Sequence, residues 1–123
     1  MLLPCKKGGL IYMVDFKAKI YKRDNLVGES KGDFIEFYDI YIDGNVKMFL
    51  ERGTQHMTKG KFIGWLEESR CIDRHRVDVE DVLKYYGVSH YDPLLIVQKT
   101  KGSMYPLDEV TVEVTDLVYS EDW

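Results

Sequence analysis

The apolar residues of this chain change their spacing twice, and the order of those changes limits the folds open to it. In residues 13–21, "MVDFKAKIY", Val14, Phe16, Ala18 and Ile20 alternate with Asp15, Lys17 and Lys19. A period of two places one set on each face of a half-buried strand. Asp24-Asn25 then offers a tight turn, since both residues tolerate positive φ, and Leu26-Val27 a short return strand that Gly28 and Gly32 break. "DFIEFYDIYIDGNVKMFLE" alternates again, and Asp43-Gly44 predicts a hairpin with Val46, Met48 and Leu50 on its return strand. Residues 52–57 read as a loop.

From Phe62 the spacing becomes helical, because Phe62 and Leu66 stand four apart with Trp65 beside them. Gly64 costs about 1 kcal/mol against Ala inside a helix, so its presence there predicts close packing. Trp65 and Leu66 are expected to pack on the sheet face bearing Phe34 or Phe37. Asp78 predicts the N-cap of a second helix, with Asp81 three residues on, Val77 and Val82 as a hydrophobic staple, and Gly87 as the stop. A third helix begins at Asp92-Pro93, a cap followed by proline at the first helical position, and runs to about Lys99 before Gly102. Period two returns in "EVTVEVTDLVY", where Val110, Val112 and Val114 oppose Thr111, Glu113 and Thr115. The order β-β-β-α-α-α-β predicts an α+β fold, an antiparallel sheet of three to four strands packed with about three short helices.

At 123 residues one domain with a single core is expected. No run approaches the ~20 apolar residues of a membrane span. The start of the chain fits no secretory signal, because Lys6 and Lys7 follow the short apolar stretch instead of preceding it. Lys-Lys-Gly-Gly at residues 6–9 can be written AAA AAA GGA GGT, a purine-rich bacterial ribosome-binding site, with Leu10-Ile11-Tyr12 as an A/T-rich spacer before the ATG of Met13. Residues 1–12 therefore read as a translated leader or a loose tail, and residues 13–123 as the domain. Two cysteines, Cys5 and Cys71, predict a reduced cytosolic protein rather than a disulfide framework.

The formal charge of −4 weighs against general nucleic-acid binding by phosphate neutralisation. Its distribution is two-faced. Asp108, Glu109, Glu113, Asp116, Glu121 and Asp122 gather at the C-terminal end, whereas Arg70, Arg74 and Arg76 lie in "RCIDRHR". The acidic set is a candidate mimic of nucleic acid. The arginines are a candidate clamp for phosphate or carboxylate, or else a solvated helix end. Cys71 and His75 stand four apart, as zinc ligands or a nucleophile pair do on a helix, but the other histidines, His56 and His90, are isolated. No phosphate-binding glycine loop, metalloprotease motif or nucleophile elbow is present. The reading is non-enzymatic, without metal or cofactor. "DVLKYYGVSHYDPLLIVQKTKG" has the outline of a helix-turn-helix, opposed by Leu83 where a small residue is needed and by Pro93 inside the reading helix.

Residues 62–102 resemble a segment of small proteins carried by Gram-positive phages and conjugative elements. The matching positions are Trp65, Leu66, Arg70, Arg76, Gly87, Tyr91, Asp92, Pro93, Thr100 and Gly102. The resemblance covers about a third of the chain and implies a setting, a bacterial host's cytoplasm, rather than a chemistry. In size, charge and setting the chain also resembles anti-CRISPR proteins. That implies a protein partner, a CRISPR nuclease such as Cas9 or its guide complex. The competing expectations are a DNA-binding transcriptional regulator of the element and an accessory protein with no defence role. A homodimer is compatible with either.

Overall fold

The computed structural model describes the backbone of residues 3–7 and 10–120 and the side chains of residues 14–119. Its elements are β1 (Leu3–Lys7), β2 (Leu10–Lys22), β3 (Asn25–Lys31), β4 (Phe34–Phe37), α1 (Val46–Phe49), β5 (His56–Thr58), α2 (Lys59–Ser69), α3 (Val79–Tyr86), α4 (Pro93–Thr100) and β6 (Val110–Ser120). All strand pairs are antiparallel, and the class is α+β.

β2 organises the sheet. It pairs with β6 along residues 13–22, with β3 along residues 19–22 and with β1 along residues 10–14. A strand has two edges, so β1 and β3 share the edge opposite β6, and the sheet reads β6-β2-β3-β4-β5 with β1 in line with β3. Among the described residues, the pairing of β2 with β1 ends at Val14 and its pairing with β3 begins at Lys19. The leader reading for residues 1–12 concerns translation, and strand pairing does not bear on it.

One face of the sheet is apolar and covered. Val14, Phe16, Ala18 and Ile20 of β2, Ile35 and Phe37 of β4, Met57 of β5 and Val110, Val112 and Val114 of β6 are buried with Phe62, Trp65, Leu66, Leu94, Ile96 and Val97 from α2 and α4. Trp65 meets Phe37 edge-on at 5.5 Å and Phe62 at 5.6 Å. Phe34 points to the opposite face, where it lies 4.6 Å from the His56 ring. Gly64 allows α2 to approach Phe49, whose ring carbon would stand 3.1 Å from an added Cβ.

The predicted hairpin through Asp43-Gly44 does not form. β4 ends at Phe37, and on the edge away from β3 its antiparallel partner is β5, which begins in the segment that reads as a loop. The Asp43 carboxylate explains the difference. It accepts from the Asn45 amide at 2.8 Å and from the Trp65 indole at 3.2 Å, which draws the chain to α2 and starts a helical turn. Val46 is then buried and Met48 exposed, although an alternating strand would put both on one face. The first turn falls on Arg23-Asp24, with Arg23 at φ 57. Gly28 continues β3 instead of breaking it, in a site where an added Cβ would lie 3.1 Å from the Glu36 carbonyl oxygen.

Helix ends follow the sequence more closely. Gly87 caps α3 at φ 75, and the Asp92 carboxylate accepts from the Leu94 amide at 2.9 Å to start α4. The Asp78 side chain makes no cap, because Arg76 holds it, and Val77 is fully exposed, so no staple forms. Truncating the fully buried Trp65 removes the meeting point of sheet and helices. Trp65→Ala is expected to lower unfolding free energy by about 3–5 kcal/mol in a urea titration.

Candidate functional site

The uncovered sheet face carries a row of aligned side chains. Glu113 of β6 is opposite Lys19 of β2, Lys19 opposite Glu29 of β3, Glu29 opposite Glu36 of β4, and Glu36 opposite His56 of β5. Such neighbours lie about 4.5–5.5 Å apart at their Cβ atoms. Tyr38 donates its hydroxyl to Glu29 at 2.8 Å, and Lys17 lies 3.4 Å from Asp116.

Beside residues 15–19 of β2 the face opens into a groove of about 620 Å³. Carboxylates of Asp15, Glu29, Asp33, Glu113 and Asp116 line it with the ammonium groups of Lys17, Lys19 and Lys59. Lys59 is the first residue of α2, placed there because the Thr58 hydroxyl caps the helix by accepting from the Lys61 amide at 3.1 Å. Its side chain is buried, and it donates to the Asp15 carboxylate at 2.7 Å and to the Phe16 carbonyl at 2.8 Å. The Ser30 hydroxyl accepts from the Ala18 amide at 3.2 Å. Side chains thus bond two backbone groups of β2, the Phe16 carbonyl and the Ala18 amide. Burial alone would raise the Asp15 carboxyl, but the Lys59 hydrogen bond, the Phe16 backbone and the Lys59 charge hold it below its ordinary value.

Opposite the single residue Phe16, β6 places two, Asp116 and Leu117. Asp116 adopts φ 51 in this bulge, a conformation that Asp tolerates. Glu113 and Asp116 therefore share the groove, and among the described candidate acidic residues they are the pair that lines it.

The other charged candidates are occupied within the chain. Arg70 and Asp108 pair at 2.8 Å, with both side chains buried. Arg70 also donates to the Gly102 carbonyl, while Asp108 accepts from the Met104 and Val110 amides at 2.9 and 3.1 Å. The pair fastens the α4–β6 connection to the end of α2. Glu109 is held by Arg23 at 2.7 Å, Arg74 by Glu67 at 2.6 Å, and Arg76 by Asp78. Glu121 and Asp122 lie outside the described residues.

Cys71 is buried, donates to the Pro93 carbonyl, and has its thiol pushed up to about 12 by burial and by the nearby carboxylates of Glu67 and Asp92. It is not a thiolate at neutral pH, and His75 beside it is exposed. Among the described residues, no group of three or more His, Cys, Asp or Glu side chains is arranged to hold a metal ion. No helix among them is long and apolar enough to cross a membrane.

Sequence reasoning overlooked Lys59, since a lysine in the first turn of a helix looks solvated. The only signal was Thr58, a cap residue one position earlier. Compared with protein-family profiles, curated proteins and solved structures, the chain matches none.

The Arg70–Asp108 pair generates a pH prediction. Burial would raise the Asp108 carboxyl, but the Met104 and Val110 amides and the Arg70 guanidinium outweigh it and lower the value. A folded value below the unfolded one adds stability at pH above about 4, which is lost as pH falls through the folded value. Asp108→Asn is expected to cost about 3–5 kcal/mol at neutral pH, as removal of one partner from a buried pair does. In unfolding titrations across pH, the gap between wild type and variant should narrow below about pH 4.

Proposed function

We propose that this protein is a non-catalytic inhibitor of a mobile element that binds a host defence nuclease of the Cas9 type, or its guide complex, in the bacterial cytoplasm. One observation carries the reading: five carboxylates, Asp15, Glu29, Asp33, Glu113 and Asp116, converge on a single open groove of the uncovered sheet face. A nuclease keeps a basic channel for nucleic acid, and a rigid surface with spaced negative charge competes for such a channel. The lysines interspersed among the carboxylates set a pattern rather than a uniform field, and a pattern confers selectivity for one basic surface over another. The resemblance of residues 62–102 to mobile-element proteins supplies the setting.

The DNA-reading alternative has weaker support from the geometry. α4 would be the reading helix, yet Pro93, Leu94, Ile96 and Val97 are buried, and only Gln98 and Lys99 on it are exposed. A helix committed to the core has little left to place in a major groove.

The test is inhibition of DNA cleavage by a Cas9–guide complex. Glu113→Lys combined with Asp116→Asn removes the paired carboxylates, and Asn keeps the left-handed conformation of position 116. The double variant is expected to lose at least about tenfold in potency, with inhibition by wild type weakening as salt rises. Arg74→Glu with Arg76→Glu should leave potency unchanged. Equal inhibition by wild type and the carboxylate variant would remove the groove from the account.

A further inference from the structure

Strand β6 changes face at Asp116. Val110, Val112 and Val114 are buried, so a period of two would send Asp116 to the same covered face. The bulge opposite Phe16 prevents that. With Asp116 at φ 51, its side chain lines the open groove, and Leu117 and Tyr119 pack against the core in its place. Bulges re-aim a side chain in this way, and a left-handed backbone at a residue with a Cβ costs free energy. What the re-aimed carboxylate meets in the groove is the ammonium of Lys17.

That contact is loose. The ammonium lies 3.4 Å from the carboxylate oxygen, beyond the about 2.7–2.9 Å of a strong charge-assisted hydrogen bond, and the side chains are 71% and 65% exposed. The ladder sets Lys17 opposite Thr115, not Asp116. The other groove lysines are placed differently. Lys59 is buried on Asp15 and the Phe16 carbonyl, and Lys19 stands between Glu113 and Glu29 in the register. Lys17 therefore leaves Asp116 without uncovering a buried charge. An ammonium is a point charge on a flexible stem, whereas a guanidinium is a planar fork that matches both oxygens of a carboxylate.

We propose that Lys17 is an internal competitor for Asp116, displaced by an arginine of the bound partner; this rests on the reading of the groove as the recognition surface. A bidentate guanidinium replaces one loose contact with two hydrogen bonds. A partner lysine exchanges like for like and gains nothing at this position. Lys17 thus sets a threshold that favours arginine-rich surfaces over lysine-rich ones, and selectivity of this kind needs such a repulsive element.

Calorimetric titration of the full chain with hexa-arginine and hexa-lysine peptides at low salt tests the proposal without a nuclease. Hexa-arginine should bind more tightly than hexa-lysine. Lys17→Gln should tighten hexa-arginine binding by about two- to fivefold, the range that an exposed ion pair supports. Lys99→Gln makes the same charge change at an exposed position of α4 outside the groove, and should tighten it less. In an Asp116→Asn background, which keeps the left-handed conformation, the gain from Lys17→Gln should vanish. No binding of hexa-arginine, equal affinities for the two peptides, equal gains from Lys17→Gln and Lys99→Gln, or a gain that survives Asp116→Asn would each overturn the proposal. The expected peptide results without inhibition of a Cas9–guide complex would reject the nuclease reading and leave the competition standing. Inhibition that Asp116→Asn weakens and Lys17→Gln leaves unchanged would reject the competitor alone.

Discussion

A buried ammonium, that of Lys59, ties the helical layer of this protein to strand β2 of its sheet. Among the described residues, β2 is the strand that pairs with three others, and along residues 15–18 one of its edges meets neither β1 nor β3. Buried backbone groups need a hydrogen-bond partner. Lys59 supplies one to the Phe16 carbonyl, and its charge is balanced by Asp15 at 2.7 Å. Because Lys59 also begins α2, the same contact ties the helical layer to the sheet. The groove on the open face is therefore a consequence of how the sheet is built, with its floor fixed by the fold.

The charged residues separate into two populations. Arg70 and Asp108 are buried against each other and act on the fold, and Glu109, Arg74 and Arg76 have partners at the surface. Glu113 and Asp116 line the groove instead, where Lys17 is an ion-pair partner of Asp116 and both side chains are largely exposed. An exposed pair of that kind contributes about 0–1 kcal/mol, so a competing basic surface can rearrange it easily. Such side chains remain open to recognition in a way that the Arg70–Asp108 pair is not.

Much of the fold was legible because its signals are local. The alternation of Val14 to Ile20 and of Val110 to Val114, the Asp92-Pro93 cap and the Gly87 stop each act within a few residues, and each has the predicted place. The segment between Phe37 and Thr58 was not legible. There the alternation of Val46, Met48 and Leu50 is too short to tell strand from helix, and a distant contact, Trp65 to Asp43, decides between them. The site was half legible for the same reason. Composition exposed the acidic end of the chain, but pairing of Arg70 with Asp108 across 38 positions and insertion of Lys59 beside Asp15 across 44 are tertiary events. Beyond the Thr58 cap, which places Lys59 at the start of α2, the residues flanking the two pairs do not announce them.

Amide hydrogen exchange of the protein, free and mixed with a Cas9–guide complex, tests the central claim most directly. The account predicts slowed exchange on binding in residues 15–19 of β2 and 113–116 of β6, the strands that carry the groove, with α3 and α4 unchanged. Protection confined to α3 and α4, or an exchange pattern identical with and without the nuclease complex, would contradict it.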